Sequence, residues 1–373
     1  MSSIPFSLKY RPKKLDDIIG QEVVVQTLKN SFTSKNLHHA YILEGNTGSG
    51  KTTIARIMAA MENCEKGLTL EPCGICQNCK EIFDGSSIDV KEIDAASNRG
   101  IDDIRELQKE IHFSPINCRV KYIILDEAHS LTGVAAESAL KMIEEPPPNV
   151  RFILCTTEPE ALKPTIHGRC INFNFSKISW MEIYNHLVNI VKMESLKYEE
   201  DALKMIAKSS KGSARNALQN LQTAANFVGS GIMTTDAVSK SIGVIDEEMF
   251  FNLFNHISEL KASEAMIDID ELLLRGKRVR TIIDGISDHL RNLLIFRTCI
   301  NNISKFGFND EEIKKYSHQS KNFNASLIAK IMGLLVDAQS AVFINLSPQN
   351  YLEKFVFESI IEIIKDQKKP QKK

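Results

Sequence analysis

The stretch Gly45-Asn46-Thr47-Gly48-Ser49-Gly50-Lys51-Thr52 decides the fold, because it fits the pattern G-x-x-x-x-G-K-[ST] of phosphate-binding loops. An apolar run, Tyr41 to Leu43, precedes it, and the apolar residues from Ile54 to Met61 recur at helical spacing after it. A phosphate-binding loop requires this strand before it and this helix after it, whereas a Gly-rich turn with an incidental lysine requires neither. The sequence therefore predicts a strand–loop–helix unit that binds the phosphates of a nucleotide.

Each part of this loop has a role toward ATP and Mg²⁺. Glycines let backbone N–H groups turn inward around phosphate oxygens, and the N-terminus of the helix adds its dipole. Lys51 supplies a cation to the β- and γ-phosphates, and the Thr52 hydroxyl completes the shell of the magnesium ion. The predicted nucleotide-binding residues of the loop are Gly45, Asn46, Thr47, Gly48, Ser49, Gly50, Lys51, Thr52 and Thr53.

A second motif, Tyr122 to Glu127, is an apolar run that ends in two carboxylates. Asp126 is placed to hold Mg²⁺ through water, and Glu127 is placed to polarise the attacking water as the catalytic base. Asp126-Glu127-Ala128-His129 also spells the signature of a helicase class. A helicase of that class needs a second ATPase-like domain, and the second half of this chain has a helical pattern instead, which disfavours it.

Short apolar or β-branched runs alternate with helical patterns through the first half of the chain, which predicts a doubly wound α/β domain with a parallel sheet. The predicted strands are Tyr41 to Leu43, Val90 to Ile93, Val120 to Leu125 and Phe152 to Thr156. From about Ser176 the strand pattern fades and helical periodicity continues to about Ile364. We therefore expect an α/β domain followed by all-α domains.

Composition limits the possible partners and compartments. The 373 residues carry a formal net charge of -1, so any DNA contact must come from a local basic patch rather than from a global field. The apolar segment from Leu327 to Leu346 is interrupted by Lys330, Asp337 and Gln339, which is typical of a packed helix rather than a membrane span. We expect a cytoplasmic protein without membrane contact.

Four of the eight cysteines crowd together. Their spacing gives two overlapping C-x-x-C pairs and a fourth thiol eight residues upstream, at the end of the helix that follows the phosphate-binding loop. Four thiolates make a closed tetrahedral site, which is typical of structural zinc, although four free thiols remain the alternative. The predicted zinc ligands are Cys64, Cys73, Cys76 and Cys79.

Further motifs give the chain a family resemblance. They are Leu8-Lys9-Tyr10-Arg11-Pro12, Ile18-Ile19-Gly20-Gln21, His38-His39-Ala40-Tyr41, Ile93-Asp94-Ala95-Ala96-Ser97 and Glu144-Glu145-Pro146-Pro147. Together with the cysteine insertion inside the first βα unit, they resemble the gamma/tau family of bacterial DNA polymerase III clamp-loader subunits. Members of that family are AAA+ ATPases.

The resemblance assigns roles to further residues. Arg11, Pro12 and Ile19 match the amino-terminal box that wraps the adenine. Thr157 matches the first sensor of the γ-phosphate, and Arg215 matches the second sensor in the helical lid. Arg169 matches an arginine finger offered to the ATP of a neighbouring subunit. Two positions depart from the family pattern: Gly168 replaces a usual Ser and Asn216 replaces a usual Asp.

The resemblance also implies a domain order and a function. It implies an ATPase domain at 1–176 with a zinc insertion at about 62–82, a lid at 177–243, a helical oligomerisation collar at 244–366 and a basic tail at 367–373. ATP binding would drive a sliding clamp open, and primer–template DNA would trigger hydrolysis and clamp closure. The implied partners are the delta and delta-prime subunits, further gamma/tau copies, the sliding clamp and DNA.

The main alternative within this family is a subunit of the delta-prime kind. A delta-prime-like subunit would not hydrolyse ATP, and the intact Gly50-Lys51-Thr52 disfavours it. The family is filed with DNA-directed DNA polymerase, a nucleotidyltransferase class (2.7.7.7), yet no polymerase active-site motif is visible.

Arg99 and Arg105 are candidate contacts to DNA phosphates. The equal alternative is that both are solvent-exposed charges on a helix. The length resembles the short gamma form rather than the long tau form.

Overall fold

The computed structural model describes residues 4–97, 101–131, 133–243, 245, 247–274, 278–306, 308, 310–343 and 348–368. The chain divides into two compact units, Met1–Ser241 and Ile242–Lys373. Two predictions fall outside these residues, because Arg99 and most of the basic tail are not described. The side chain of Arg105 is not described either, so both candidate DNA contacts remain predictions.

The first unit is built on a five-stranded sheet in which every described neighbour pair is parallel. Its strands are β1 (Ala40–Gly45), β2 (Val90–Asp94), β3 (Lys121–Asp126), β4 (Val150–Thr156) and β5 (Ile171–Phe175), in the order β2-β3-β4-β1-β5. The carboxyl ends of parallel strands share one edge, so the phosphate-binding loop after β1 lies beside the ends of β3 and β4.

Helices cover both faces of this sheet, as the doubly wound prediction requires. They are α1 (Phe6–Lys9), α2 (Glu22–Thr33), α3 (Lys51–Asn63), α4 (Gln77–Asp84), α5 (Ile101–Glu110), α6 (Gly133–Glu144) and α7 (Pro164–His167). Successive residues of a strand point to opposite faces. Accordingly, Tyr41 and Leu43 pack in one apolar core with α3, whereas Ala40 and Ile42 pack in the other with α6.

The strand β5 was not predicted. Its sequence, Ile-Asn-Phe-Asn-Phe, alternates apolar and polar residues, and only Phe173 and Phe175 are buried. β5 pairs with β1 alone and so lies at the edge of the sheet. A search for continuous apolar runs detects strands that are buried on both faces and misses a half-exposed edge strand of this kind.

The rest of the first unit is mainly helical. Its elements are α8 (Trp180–Met193), β6 (Lys197–Tyr198), α9 (Glu200–Ser209), α10 (Ala214–Val228), β7 (Ile232–Met233) and α11 (Thr235–Ile242). Ser179 and Glu182 form a reciprocal capping box at the start of α8, and the Ser213 side chain caps α10. The β6–β7 ladder has two residues in each strand and was not predicted.

Helices alone form the second unit in the part that the structure describes. They are α12 (Glu247–Ser258), α13 (Ala262–Leu274), α14 (Val279–Thr298), α15 (Asp310–Gln319), α16 (Ala325–Phe343) and α17 (Pro348–Gln367). Ile282, Ile286, Leu290 and Leu293 are buried along one face of α14, as their spacing predicts. Among the described residues, no helix is long and apolar enough to cross a bilayer.

Candidate active site and cysteine cluster

Lys51 begins α3 and folds back over the phosphate-binding loop. Its ammonium donates to the carbonyl oxygens of Gly45 at 2.7 Å and of Asn46 at 3.0 Å. The side chain is 5% exposed, and this burial lowers the pKa of Lys51. A buried ammonium whose hydrogen bonds go to neutral carbonyls is well suited to receive an anion.

Thr52 and Asp126 meet across the edge of the sheet. The Thr52 hydroxyl donates to Asp126 Oδ2 at 2.9 Å, which joins the start of α3 to the end of β3. Arg11 donates from Nε to Thr53 Oγ1 at 3.1 Å, and burial lowers the pKa of Arg11 to about 10. The hydroxyl and carboxylate oxygens of Thr52 and Asp126 are hard ligands of the kind that Mg²⁺ prefers.

Two glycines give this loop its shape. Gly50, just before α3, has a φ of 106° and a conformation that side chains disfavour. Gly48 has a φ of 76°, and a Cβ built on it would lie 2.1 Å from Ser213 Oγ. The Ala214 amide donates to the Gly48 carbonyl at 3.2 Å. The N-terminus of α10 therefore rests directly on the phosphate-binding loop.

These segments enclose a cavity of about 810 Å³. Its walls come from the amino-terminal segment, from the phosphate-binding loop with the ends of β3, and from α8 and α10. It brings together many of the predicted residues, namely Arg11, Pro12, Ile19, Thr47, Gly48, Gly50, Lys51, Thr52, Thr53, Asp126, Glu127 and Arg215. A volume of this size is in the range of small-molecule sites.

Further residues of α10, which no sequence motif indicates, complete this wall. Besides Arg215, α10 lines the cavity with Leu218, Gln222 and Asn226. They follow Arg215 at intervals of three or four residues, which puts them on one face of the helix. Because this face mixes polar and apolar residues, apolar periodicity in the sequence does not indicate it.

Glu127 lies at the end of β3 with its backbone in the left-handed region, at a φ of 48°. The Thr157 hydroxyl, just beyond β4, donates to Glu127 Oε2 at 3.1 Å. His129 Nδ1 lies 3.5 Å from the same oxygen and 3.0 Å from Thr156 Oγ1. The predicted base is thus held directly by the predicted first sensor, and His129 and Thr156 are neighbours that the sequence did not suggest.

Arg169 does not line this cavity, and neither do Gly45, Asn46, Ser49 and Thr157. Thr157 nevertheless bonds Glu127, which does line it. The guanidinium of Arg169 pairs with Glu144 Oε1 at 3.0 Å and donates to the Thr165 carbonyl at 2.8 Å, and 42% of the side chain is exposed. Gly168 has an ordinary φ of -70°, and a Cβ there would meet no atom closer than 4.0 Å. A serine would fit at position 168, so glycine is not required there by the backbone.

The four clustered cysteines converge. Their sulfur atoms all lie within 4.8 Å of one another, and the sulfurs of Cys73 and Cys79 are 4.0 Å apart. Cys64 ends α3, Cys76 precedes α4, and Cys79 lies in α4 itself rather than on a loop. The amides of Ile75 and Cys76 lower the pKa of Cys73 to about 6, which favours the thiolate that a metal needs.

Comparison with known proteins agrees with this geometry. Residues 182–224 match the ATPase lid domain of DNA polymerase III clamp-loader subunits, and residues 20–179 match the family described as DNA polymerase III, delta subunit. The DNA polymerase III subunit gamma of Buchnera aphidicola subsp. Schizaphis graminum is 32% identical over 95% of this chain and 97% of its own length. The chain belongs to the gamma/tau family of DNA polymerase III subunits.

This membership confirms the family and the fold class that the sequence predicts, an α/β ATPase domain followed by an ATPase lid and a helical region. The DNA polymerase III subunit tau of Escherichia coli is 38% identical over 74% of this chain but over only 43% of its own length. The chain therefore spans less than half of that relative. The solved RuvB branch migration motor of Thermotoga maritima is 22% identical, with a TM-score of 0.49 over 68% of this chain and 80% of that one.

Proposed function

We propose that this chain binds and hydrolyses ATP as a subunit of a clamp loader. One observation carries the proposal. Lys51 and Thr52 meet Asp126 and Glu127 at a single cavity, which the lid helix α10 closes with Arg215. A non-hydrolysing subunit would need neither the carboxylate base nor the lid cation at that place.

The residues divide the chemistry among them. Lys51 would exchange its two carbonyl partners for phosphate oxygens. Thr52 and Asp126 would hold Mg²⁺, which neutralises phosphate charge when it is bound. Glu127, which its hydrogen bond from Thr157 orients, takes the proton of the attacking water. Arg215 supports the γ-phosphate from the lid, while Arg11, Pro12 and Ile19 line the space for the adenine.

Family membership supports a proposal about assembly and partners. We propose that the unit at 244–366 is an oligomerisation collar and that delta, delta-prime and further gamma/tau subunits complete the complex. The domain boundaries near 176 and 243 belong to the same proposal. ATP binding then opens a sliding clamp, and primer–template DNA triggers hydrolysis and release. We propose, from the family resemblance, that Arg169 reaches the ATP of a neighbouring subunit, and its 42% exposed side chain is compatible with that role.

We propose that the four cysteines hold one structural zinc ion. Their convergence, without an open position for substrate, fits a closed four-thiolate site. Backbone amides also point at the sulfurs: Cys76 N lies 3.3 Å from Cys73 Sγ, and Cys79 N lies 3.5 Å from Cys76 Sγ. Elemental analysis of protein purified without chelator should find one zinc per chain, and its absence would remove this part of the proposal.

Steady-state ATP hydrolysis, measured with the partner subunits present, tests the function. We expect the rate to rise when sliding clamp and primed DNA are added together, and we expect Lys51→Ala to abolish it. Lys163→Ala is the matched control, because it removes an exposed lysine that pairs with Glu137 and does not line the cavity. An unstimulated rate, or one that survives Lys51→Ala, would contradict the proposal.

A further inference from the structure

The proposed zinc site and the proposed ATP site lie at the two ends of one helix. α3 begins with Lys51 and Thr52 and has Cys64 as its C-terminal cap. Its 13 residues span about 20 Å at the rise of an α-helix. One continuous hydrogen-bonded helix therefore joins Thr52 to the cysteine cluster.

The C-terminal end of α3 is capped by side chains from other segments. The last carbonyl groups of a helix have no partner within it. Arg119 donates to the carbonyls of Glu62, from Nε at 3.0 Å, and of Cys64 at 2.7 Å. Asn78 of α4 donates to the carbonyl of Asn63 at 3.0 Å. The positive charge of Arg119 also suits the negative end of the helix dipole.

Asn63 ties the same helix end to the start of β3. It is fully buried, and its Nδ2 donates to the Val120 carbonyl at 2.8 Å. Its Oδ1 accepts from the amides of Arg119 at 3.0 Å and of Val120 at 2.9 Å. At the opposite end, Thr52 bonds Asp126. Hydrogen bonds thus join α3 and β3 at both ends, and the bond at one end is the proposed magnesium pair, Thr52 and Asp126.

The cysteine cluster joins the C-terminal end of α3 to α4. Cys64 follows α3 directly, and Cys79 sits in α4 one residue after Asn78. If Cys64 and Cys79 hold a metal ion, they would cross-link the two helices through it and keep Asn78 within reach of the Asn63 carbonyl. The Cys73 amide also lies 3.5 Å from Cys64 Sγ, which brings the cysteine loop against the end of α3.

We propose that Arg119, together with the metal-filled cysteine site, positions α3 against β3 and thereby sets the geometry of the Thr52–Asp126 magnesium pair. Arg119 is then a positioning residue that acts on ATP hydrolysis from the opposite end of the helix. The inference rests on the proposed ATPase function. Arg119 lies at the surface, so replacing it removes the cap without opening a cavity in the core.

The test measures the Mg²⁺ concentration at which a fluorescent ATP analogue is half-maximally bound. Arg119→Ala should retain zinc by elemental analysis and raise this concentration about fivefold, in the range by which remote mutations change coupling. Wild-type protein dialysed against a zinc chelator should shift in the same direction. Dialysed Arg119→Ala should shift little further, because both changes act through one helix end.

Three further variants make the result decisive. Glu71 lies in the cysteine insertion and forms an exposed ion pair with Lys14. Glu71→Ala should leave unchanged the Mg²⁺ concentration for half-maximal binding, called here the Mg²⁺ midpoint. Arg119→Lys keeps the charge and should shift it less than Arg119→Ala, and it carries the test if Arg119→Ala fails to fold. Thr52→Ala must shift the midpoint; if it does not, the proposed magnesium pair itself is wrong. If Thr52→Ala shifts the midpoint and neither Arg119 variant does, only the positioning role is overturned.

Discussion

Glu127 combines a left-handed backbone, at a φ of 48°, with a carboxylate that is fixed by Thr157 at 3.1 Å. A glutamate that serves only as a solvated strand end needs neither feature, because the left-handed region is costly for a residue with a side chain. The backbone turn directs the carboxylate toward the cavity wall, which it lines together with Asp126 and Lys51. This geometry supports a base that is held ready beside the γ-phosphate.

Glu127→Gln should therefore separate binding from hydrolysis. The amide keeps the size of the side chain but cannot take a proton, while Lys51, Thr52 and Asp126 still hold the nucleotide and metal. We expect ATP affinity within about twofold of wild type and a hydrolysis rate lower by about 10²–10⁴, the range of general-base catalysis. Equilibrium binding of ATP and single-turnover hydrolysis measure the two effects.

Glu137→Gln is the matched control, since it neutralises an exposed carboxylate that pairs with Lys163. We expect Glu137→Gln to leave both the ATP affinity and the hydrolysis rate unchanged. Wild-type hydrolysis by Glu127→Gln would show that another group activates the water, and equal losses of binding and hydrolysis would show that Glu127 holds the nucleotide instead.

At the scale of elements, local spacing explains which features could be predicted. The loop from Gly45 to Thr52 and the acidic end of β3 are each contiguous in sequence, and parallel strands bring their carboxyl ends to one edge. The face of α10 that lines the cavity could not be found in this way. Its position depends on the docking of Ser213 and Ala214 on Gly48, a contact between segments about 165 residues apart that no local pattern encodes.

The contact between the phosphate-binding loop and α10 predicts the effect of Gly48→Ala. A Cβ there would lie 2.1 Å from Ser213 Oγ and 3.1 Å from the Cβ of Arg215, so the Ser213 side chain must give up its capping position and the start of α10 must shift slightly. Because Arg215 moves with it, we expect ATP affinity to fall about tenfold, the effect of roughly 1.4 kcal/mol of lost binding energy. Isothermal titration with ATP and Mg²⁺ measures this loss.

Gly229→Ala separates this clash from backbone strain. Gly229 ends the same helix with a φ of 58°, and a Cβ on it would have nothing within 4 Å. Both variants place alanine at a positive φ, which strains its backbone. We expect Gly229→Ala to lower the melting temperature without changing ATP affinity. Equal affinity losses in both variants would mean that strain, rather than the position of α10, sets the affinity.

At the scale of the whole molecule, Arg169 stands apart from the other predicted catalytic residues. Its pairing with Glu144 and its 42% exposure are what an ordinary surface arginine would also show. A structural arginine and an arginine finger share these contacts within one chain, and the family resemblance indicates the finger. The physical question is whether this cation acts on the ATP of its own chain or on that of a neighbouring subunit.

Arg169→Ala should abolish most hydrolysis while sparing ATP binding, because an arginine finger contributes about 10³–10⁵ in rate in other P-loop enzymes. Lys51→Ala should abolish both. In a mixture of the two inactive variants, some Arg169→Ala subunits with an intact phosphate-binding loop adjoin a Lys51→Ala neighbour that still carries Arg169. Partial activity should then return, below the wild-type rate because only some interfaces are productive. Light scattering must confirm that mixed assemblies form; if they form and remain inactive, Arg169 acts within its own chain or serves only to hold Glu144.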